Sequence, residues 1–94
     1  MARAYARSRF EMKMDLLNAI KRGKHKPTQI MYNAGLHWSA LKRLLNELME
    51  QKLIRESTQR NGTVTYDLTG NGKTVLQNVL EVKRILAGVG IRGR

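Results

Sequence analysis

At 94 residues the chain is read as one domain with room for a single modest core. Its 18 Lys and Arg against 7 Asp and Glu leave a formal net charge of +11, which points to a polyanion, most simply nucleic acid, with an anionic membrane surface as the weaker option. The lack of cysteine excludes disulfides, thiol catalysis and cysteine-ligated zinc, and no apolar run approaches the ~20 residues of a membrane span; with no secretory h-region, the expectation is a soluble, cytoplasmic, nucleoid-associated protein.

Residues 1–7 are basic and carry no apolar stripe, and they are read as a flexible arm. Ser8 and Glu11 match a capping box, which starts a helix over about 9–22. Phe10, Met14, Leu17 and Ile20 form its predicted inward stripe, with Leu16 beside it. Lys21, Arg22 and Gly23 suit a helix C-terminus, and Lys24, His25 and Lys26 make a basic linker.

Pro27 has its φ preset for a first helical turn, and Ile30, Met31 and Ala34 follow at helical spacing. Gly35 supplies the positive φ that ends this short helix. A second helix follows, with Leu41, Leu44, Leu45, Leu48 and Met49 as its apolar stripe. Two helices joined by about three or four residues containing glycine are the signature of a helix-turn-helix. Ser39, Lys42, Arg43, Asn46, Glu47 and Glu50 lie off the leucine stripe, cations first and acids last. The helix dipole prefers the reverse order by roughly 0.3–1 kcal/mol per exposed charge. A helix whose N-terminal half enters a major groove wants the order found here. Ser39, Lys42, Arg43 and Asn46 are the candidate groove contacts, and Lys24, Lys26 and Thr28 candidate phosphate contacts at the start of the motif. Trp38, beside the leucine stripe, is expected to pack partly against the domain and aim the helix.

Leu53–Thr58 reads as a strand, and Thr63–Leu68 as a second one with Val64, Tyr66 and Leu68 inward. Asn61 and Gly62 predict a type I′ turn. A two-residue turn places Glu56 opposite Asp67, which is unfavourable, so a bulge or longer loop stays open. The hairpin is a wing, and Arg60, Asn61 and Thr63 at its tip, near Gln59, are candidate DNA contacts. Thr69 caps a last helix that runs to about Ala87 and stops at Gly88. Val75, Val79, Val82 and Leu86 form one stripe, with Leu76, Leu80 and Ile85 widening it. An arc that wide exceeds what one small core covers, so the stripe predicts a homodimer seam. The Gly- and Arg-rich tail has no packing logic and is read as flexible.

The organisation is therefore α+β and mainly α: a basic arm (1–7), a winged helix-turn-helix domain (8–69), a dimerisation helix (70–87) and a basic tail (88–94). His25 and His37 are the only histidines and have no second ligand or base at a regular spacing, so catalysis, a metal and a cofactor are not expected. The expected partners are double-stranded DNA and a second copy of the chain, with no membrane and no small-molecule ligand. A protein-interaction module, or an RNA-binding protein with exposed stacking aromatics, is the alternative. Phe10, Tyr32 and Tyr66 are expected to face inward, which weighs against RNA.

Ile30, Met31 and Tyr32, then Ala34, Gly35 and Leu36, then Leu53 and Ile54, then Tyr66–Thr69 with Gly72, resemble the small archaeal winged-helix DNA-binding proteins. The likeness spans about Leu16 to Leu86. Those proteins end in a long dimerising helix, and related domains occur in archaeal transcription regulators. The resemblance implies a dimeric winged helix acting on double-stranded DNA, as regulator or chromatin component. Where the family shows Ser-Tyr after the leucine, this chain has His37 and Trp38, which leaves Ser39 as an alternative cap. Its last helix is also shorter than in members that dimerise through an antiparallel coiled coil.

Overall fold

The computed structural model describes residues 7–88. Apart from Arg7 and Gly88, the arm and the tail fall outside the described residues. The order of elements is α1 (Arg9–Lys21), α2 (Pro27–Ala34), α3 (Trp38–Glu50), β1 (Ile54–Thr58), β2 (Val64–Leu68) and α4 (Gly70–Leu86). β1 and β2 form a two-stranded antiparallel sheet. One core, made of Leu16, Leu17 and Ile20 from α1, Ile30 from α2, Leu41, Leu44, Leu45 and Leu48 from α3, Ile54 and Leu68 from the strands and Leu76 from α4, joins all six elements.

The capping box is formed: Ser8 Oγ accepts the Glu11 N–H at 3.0 Å, and the Glu11 carboxylate accepts the Ser8 N–H at 2.8 Å. The inward stripe of α1 starts later than the periodicity predicts. Phe10 is 55% exposed, because the first turn overhangs the core and Met12 packs against it instead. Arg7 does not belong to a free arm. Its guanidinium donates to Asp15 Oδ2 and to the Ala34 carbonyl, both at 2.7 Å, and also to the Gly35 carbonyl. It thus serves as a cationic cap on the carbonyl end of α2.

Gly35 closes α2 with φ +67, and the Leu36 N–H reaches the Met31 carbonyl at 3.0 Å. That turn delivers His37 in extended geometry, and the Leu41 N–H bonds its carbonyl at 2.9 Å. α3 therefore begins at Trp38 with His37 as a cap that makes no side-chain bond, and Ser39 lies inside the first turn. Tyr32 is 80% exposed, contrary to the inward placement expected of it. With Ile30 and Ala34 facing the core, Tyr32 lies about 200° round the helix from Ile30 and has nowhere to point but outward.

The wing register is Ile54↔Leu68, Arg55↔Asp67, Glu56↔Tyr66, Ser57↔Thr65 and Thr58↔Val64. The like-charge pair is thereby avoided. The Gln59 N–H bonds the Thr63 carbonyl, and the Gly62 N–H bonds the Gln59 carbonyl at 2.9 Å. Only Gly62 takes positive φ here (+89). The connection is a three-residue loop ending in a left-handed glycine, not the predicted type I′ turn. One residue more in the loop shifts the pairing and faces Asp67 with Arg55.

α3 ends in a left-handed residue, Lys52 (φ +63), which lets the Leu53 N–H return to the Leu48 carbonyl at 2.9 Å. The start of α4 is packed onto this corner. Thr69 Oγ1 donates to the Lys52 carbonyl at 2.7 Å and accepts the Gly72 N–H at 3.0 Å, while the Thr69 N–H bonds the Leu53 carbonyl at 3.0 Å. A Cβ at Gly72 would lie 2.0 Å from the Leu53 carbonyl oxygen. Leu76 is fully buried one turn later, Val79 packs on the edge of the core, and from Leu80 onward the helix is exposed.

Gly72→Ala should destabilise the domain by about 2–3 kcal/mol, because backbone rather than a flexible side chain must yield. Lys52→Gly should stabilise it by a few tenths to ~1 kcal/mol through relief of the left-handed strain. Urea unfolding followed by circular dichroism checks both; equal stability of Gly72→Ala and wild type would contradict the close approach.

Candidate nucleic-acid interface

The outward face of α3 carries Ser39, Lys42, Arg43 and Asn46, all exposed. Helical spacing puts Trp38, Lys42 and Asn46 on one row and Ser39 and Arg43 on the next. The first row forms one wall of a cleft of about 250 Å³ whose other walls are Pro27, Leu45, Glu56 and Tyr66. Trp38, 49% exposed, stands in that wall half against the domain, as its wheel position predicts.

The charge order along α3 is reinforced by tertiary contacts. Glu47 is held by Arg9 Nη1 at 3.3 Å and Lys13 Nζ at 3.2 Å. One of the two late acids of α3 is therefore turned onto α1, away from the face bearing Lys42 and Arg43. Asp15 pairs with Arg7 at 2.7 Å, Asp67 with the His25 ring at 3.1 Å, and Glu81 with Arg84. Among the described residues, Lys42, Arg43, Arg60, Lys24 and Lys26 have no carboxylate within ion-pair distance. Asp15, Glu47, Asp67 and Glu81 are engaged by other cations, and the cations of this face are left without an ion-pair partner among the described residues.

At the wing tip Arg60 and Asn61 are exposed and Thr63 is half-buried. The Asn61 side-chain oxygen accepts the Thr63 N–H at 3.0 Å, so this residue shapes the turn before it meets anything else. Lys26 and Thr28 flank Pro27 at the start of α2, exposed, and Lys24 is half-buried. Lys24 lies in a shallow hollow with Gln29, Tyr32 and Asn33, so the exposed Tyr32 ring joins the basic surface at a place the periodicity had assigned to the core. The sequence set Glu56 against Asp67 and turned Tyr66 inward, and it pointed to neither as a site residue. Their pairing depends on the three-residue loop.

Tyr66 is the node of this region. Its N–H donates to the His25 carbonyl at 2.9 Å, and its own carbonyl lies 2.9 Å from His25 Nδ1. The basic linker is thereby bound along β2. A carbonyl and a carboxylate both face Nδ1, so that nitrogen carries the proton. The Tyr66 hydroxyl donates to Glu56 Oε2 at 2.9 Å. Burial, then the hydrogen bond to Glu56, then the Glu56 charge push its pKa up to about 12. A roomier cleft of about 610 Å³, lined by Ile20, Lys21, His25, Arg55, Asp67, Leu68, Lys73, Leu76 and Gln77, is bounded by α1, the wing strands and α4, and includes none of the α3 face.

These elements in this order, with a basic outward helix before the hairpin, match a known family over residues 6–87, described as winged helix-turn-helix. The chain belongs to the winged helix-turn-helix family. This winged helix is 30% identical over 84 residues to the uncharacterized protein MJ0287 of Methanocaldococcus jannaschii, covering 89% of this chain and 81% of that one. Among solved structures it is similar to Sso10a-2, a DNA-binding protein from Sulfolobus solfataricus, with TM-score 0.68 and 19% identity over 89% of this chain and 90% of that one. It also resembles a MarR family transcriptional regulator from Silicibacter pomeroyi, with TM-score 0.72 and 21% identity. That match covers 80% of this winged helix but only 52% of the regulator, so the chain spans about half its length. At these identities the likeness to solved structures is one of fold. No helix among the described residues is long and apolar enough to cross a membrane.

The raised pKa of Tyr66 gives a signed pH dependence. Below pH 10 the phenol is neutral in folded and unfolded chains alike; between about 10 and about 12 the unfolded chain ionises first. Stability contributed by this group is therefore full below pH 10 and is lost as pH rises through about 12. Melting temperatures across that window should fall more steeply for wild type than for Tyr66→Phe; parallel curves would show that the phenol is not held neutral.

Proposed function

We propose that this winged helix is a double-stranded DNA-binding protein that acts as a homodimer, as a transcription regulator or a component of the cytoplasmic nucleoid. α3 lies in the major groove with Lys42, Arg43 and Asn46 at its centre and Ser39 at its edge. Arg60, Asn61 and Thr63 of the wing, and Lys24, Lys26 and Thr28 at the start of α2, meet phosphates. The observation that carries this reading is the division of charge on α3: Lys42 and Arg43 stand exposed without a carboxylate partner among the described residues, while Glu47 is clamped back onto α1. The net charge of +11 and the DNA-binding fold shared with Sso10a-2 support it.

Arg43→Ala should cost about 1–3 kcal/mol on a preferred duplex and relax the preference at one base pair. Arg60→Ala should weaken every duplex about equally and flatten the salt dependence by roughly one unit of slope. Glu50→Ala should leave affinity unchanged or slightly raised. Titrations against a preferred and a random duplex at several salt concentrations separate these outcomes, and an essential Glu50 with a dispensable Arg43 would put another element in the groove.

The dimer rests on α4. Leu80, Val82, Ile85 and Leu86 are 39%, 52%, 41% and 81% exposed on one helix, an apolar surface unusual for a monomer. Of the seam expected from the sequence, Val79 packs on its own core and Val75 is half-buried, so Val82 and Leu86 are the members free to meet a second copy. Val82→Lys with Leu86→Lys should yield a folded monomer with much weaker DNA binding. Sedimentation of the wild type as a monomer at tens of micromolar, roughly the concentration at which an apolar seam of this kind pairs, would refute the seam.

RNA binding remains a second reading because Tyr32, Phe10 and Trp38 are exposed at 80%, 55% and 49%, which supplies the stacking surfaces RNA recognition uses. Competition between duplex DNA and a structured RNA for the same protein decides between them.

A further inference from the structure

Of the seven acidic residues, five are engaged within the chain: Glu11 in the cap of α1, Asp15, Glu47, Asp67 and Glu81 in ion pairs. Glu50 is exposed near the end of α3. Glu56 is different. It lies on the basic side of the molecule, in the cleft that Lys42 and Asn46 line, and among the described residues no cation stands within ion-pair distance of it. Among the described residues its polar partner is the Tyr66 hydroxyl, 2.9 Å from Oε2. That bond fixes the carboxylate against the α3 side of the wing and occupies one of its roughly four lone-pair sites. The phenol stays protonated well above neutral pH, so it remains a donor to the carboxylate.

A carboxylate in this position repels phosphate, and a surface built only to hold a backbone would not keep one. It is suited to a donor on a base edge. In the major groove cytosine presents the N4 amino group, whereas guanine presents only acceptors at O6 and N7, and adenine sets its N7 acceptor beside the N6 amine. In the facing wall of the same cleft the half-exposed Trp38 ring offers an apolar surface, and the apolar feature of the groove is the thymine methyl.

We propose that Glu56, positioned by Tyr66, is a specificity-determining residue that accepts a hydrogen bond from a cytosine N4 amino group, with a neighbouring thymine methyl against Trp38. The inference rests on the placement of α3 in the major groove and deepens it. The cleft between α3 and the wing is a base-reading site, and this chain discriminates among duplexes instead of binding all alike. Lys42 and Asn46 on the opposite wall hold the same base step in register.

The test uses the full chain and a randomised duplex library, followed by titration of the selected duplex and of versions altered at single pairs. Wild type should require a C·G pair at one fixed position, with about a tenfold loss when it becomes T·A. Glu56→Ala should erase the preference at that pair alone while raising affinity for random duplexes a few-fold, because a repelling charge is gone. Tyr66→Phe should weaken the same preference without that general rise, since the charge stays but loses its anchor. Equal gains by Glu56→Ala on every duplex would reduce the carboxylate to a repeller and overturn the proposal. So would an unchanged preference. No binding of any duplex by wild type would instead overturn the DNA reading on which the proposal stands. Glu56 is exposed, and melting curves of the variants confirm that the fold is retained.

Discussion

At the end of α3 a few backbone groups hold the rest of the domain in place. The left-handed turn at Lys52 frees the Lys52 and Leu53 carbonyls, and the start of α4 takes both: Thr69 Oγ1 donates to the first and the Thr69 N–H to the second. The same hydroxyl accepts from Gly72, so one side chain caps α4 and fastens it to the α3–β1 corner. Approach this close requires the missing Cβ of Gly72. Because β1 leaves this corner and β2 returns to it, the directions of α3, the wing and α4 are set at a single joint. Leu76, buried one turn on, drives the joint closed with apolar area.

Charge is distributed with a similar economy. A protein with so few acids has little material for internal ion pairs, and where it spends them decides which cations remain available. Glu47 faces Arg9 and Lys13, Asp15 faces Arg7, and Asp67 faces His25. Apart from the more covered Lys13–Glu47 pair these are partly exposed, and pairs of that kind contribute little to stability individually. Their effect is on charge placement: the acids they engage are turned toward Arg7, Arg9, Lys13 and His25, and Lys42, Arg43 and Arg60 on the outer face of α3 and at the wing tip stay without an ion-pair partner among the described residues.

Tyr66 links that surface to the interior. Its backbone binds the linker before α2, its ring belongs to the core, and its hydroxyl orients a carboxylate in the α3 cleft. The wing and the linker that starts the helix-turn-helix are thus in direct contact, although 41 residues separate Tyr66 from His25 in the chain.

Much of this was legible in the chain. The capping box at Ser8 and Glu11, Pro27 as a helix start, Gly35 as a stop and Thr69 as a cap are short-range effects, settled within four residues by hydrogen bonds each residue makes or cannot make, and all are found where the pattern puts them. The winged-helix order followed from leucine periodicity and the hairpin signal in the same way. Periodicity could not say where a stripe meets its partner. Phe10 and Tyr32 are apolar residues on helices, yet both are exposed, since burial depends on what packs alongside. The wing register turned on a single residue of loop length, and with it went the pairing of Glu56 with Tyr66. Arg7 joined the domain through carbonyls 27 and 28 residues away, and the Leu53 oxygen beside Gly72 lies 19 positions back along the chain. Local chemistry determined the elements and their caps; contacts between residues far apart in the chain, which no local pattern encodes, decided which faces were left exposed.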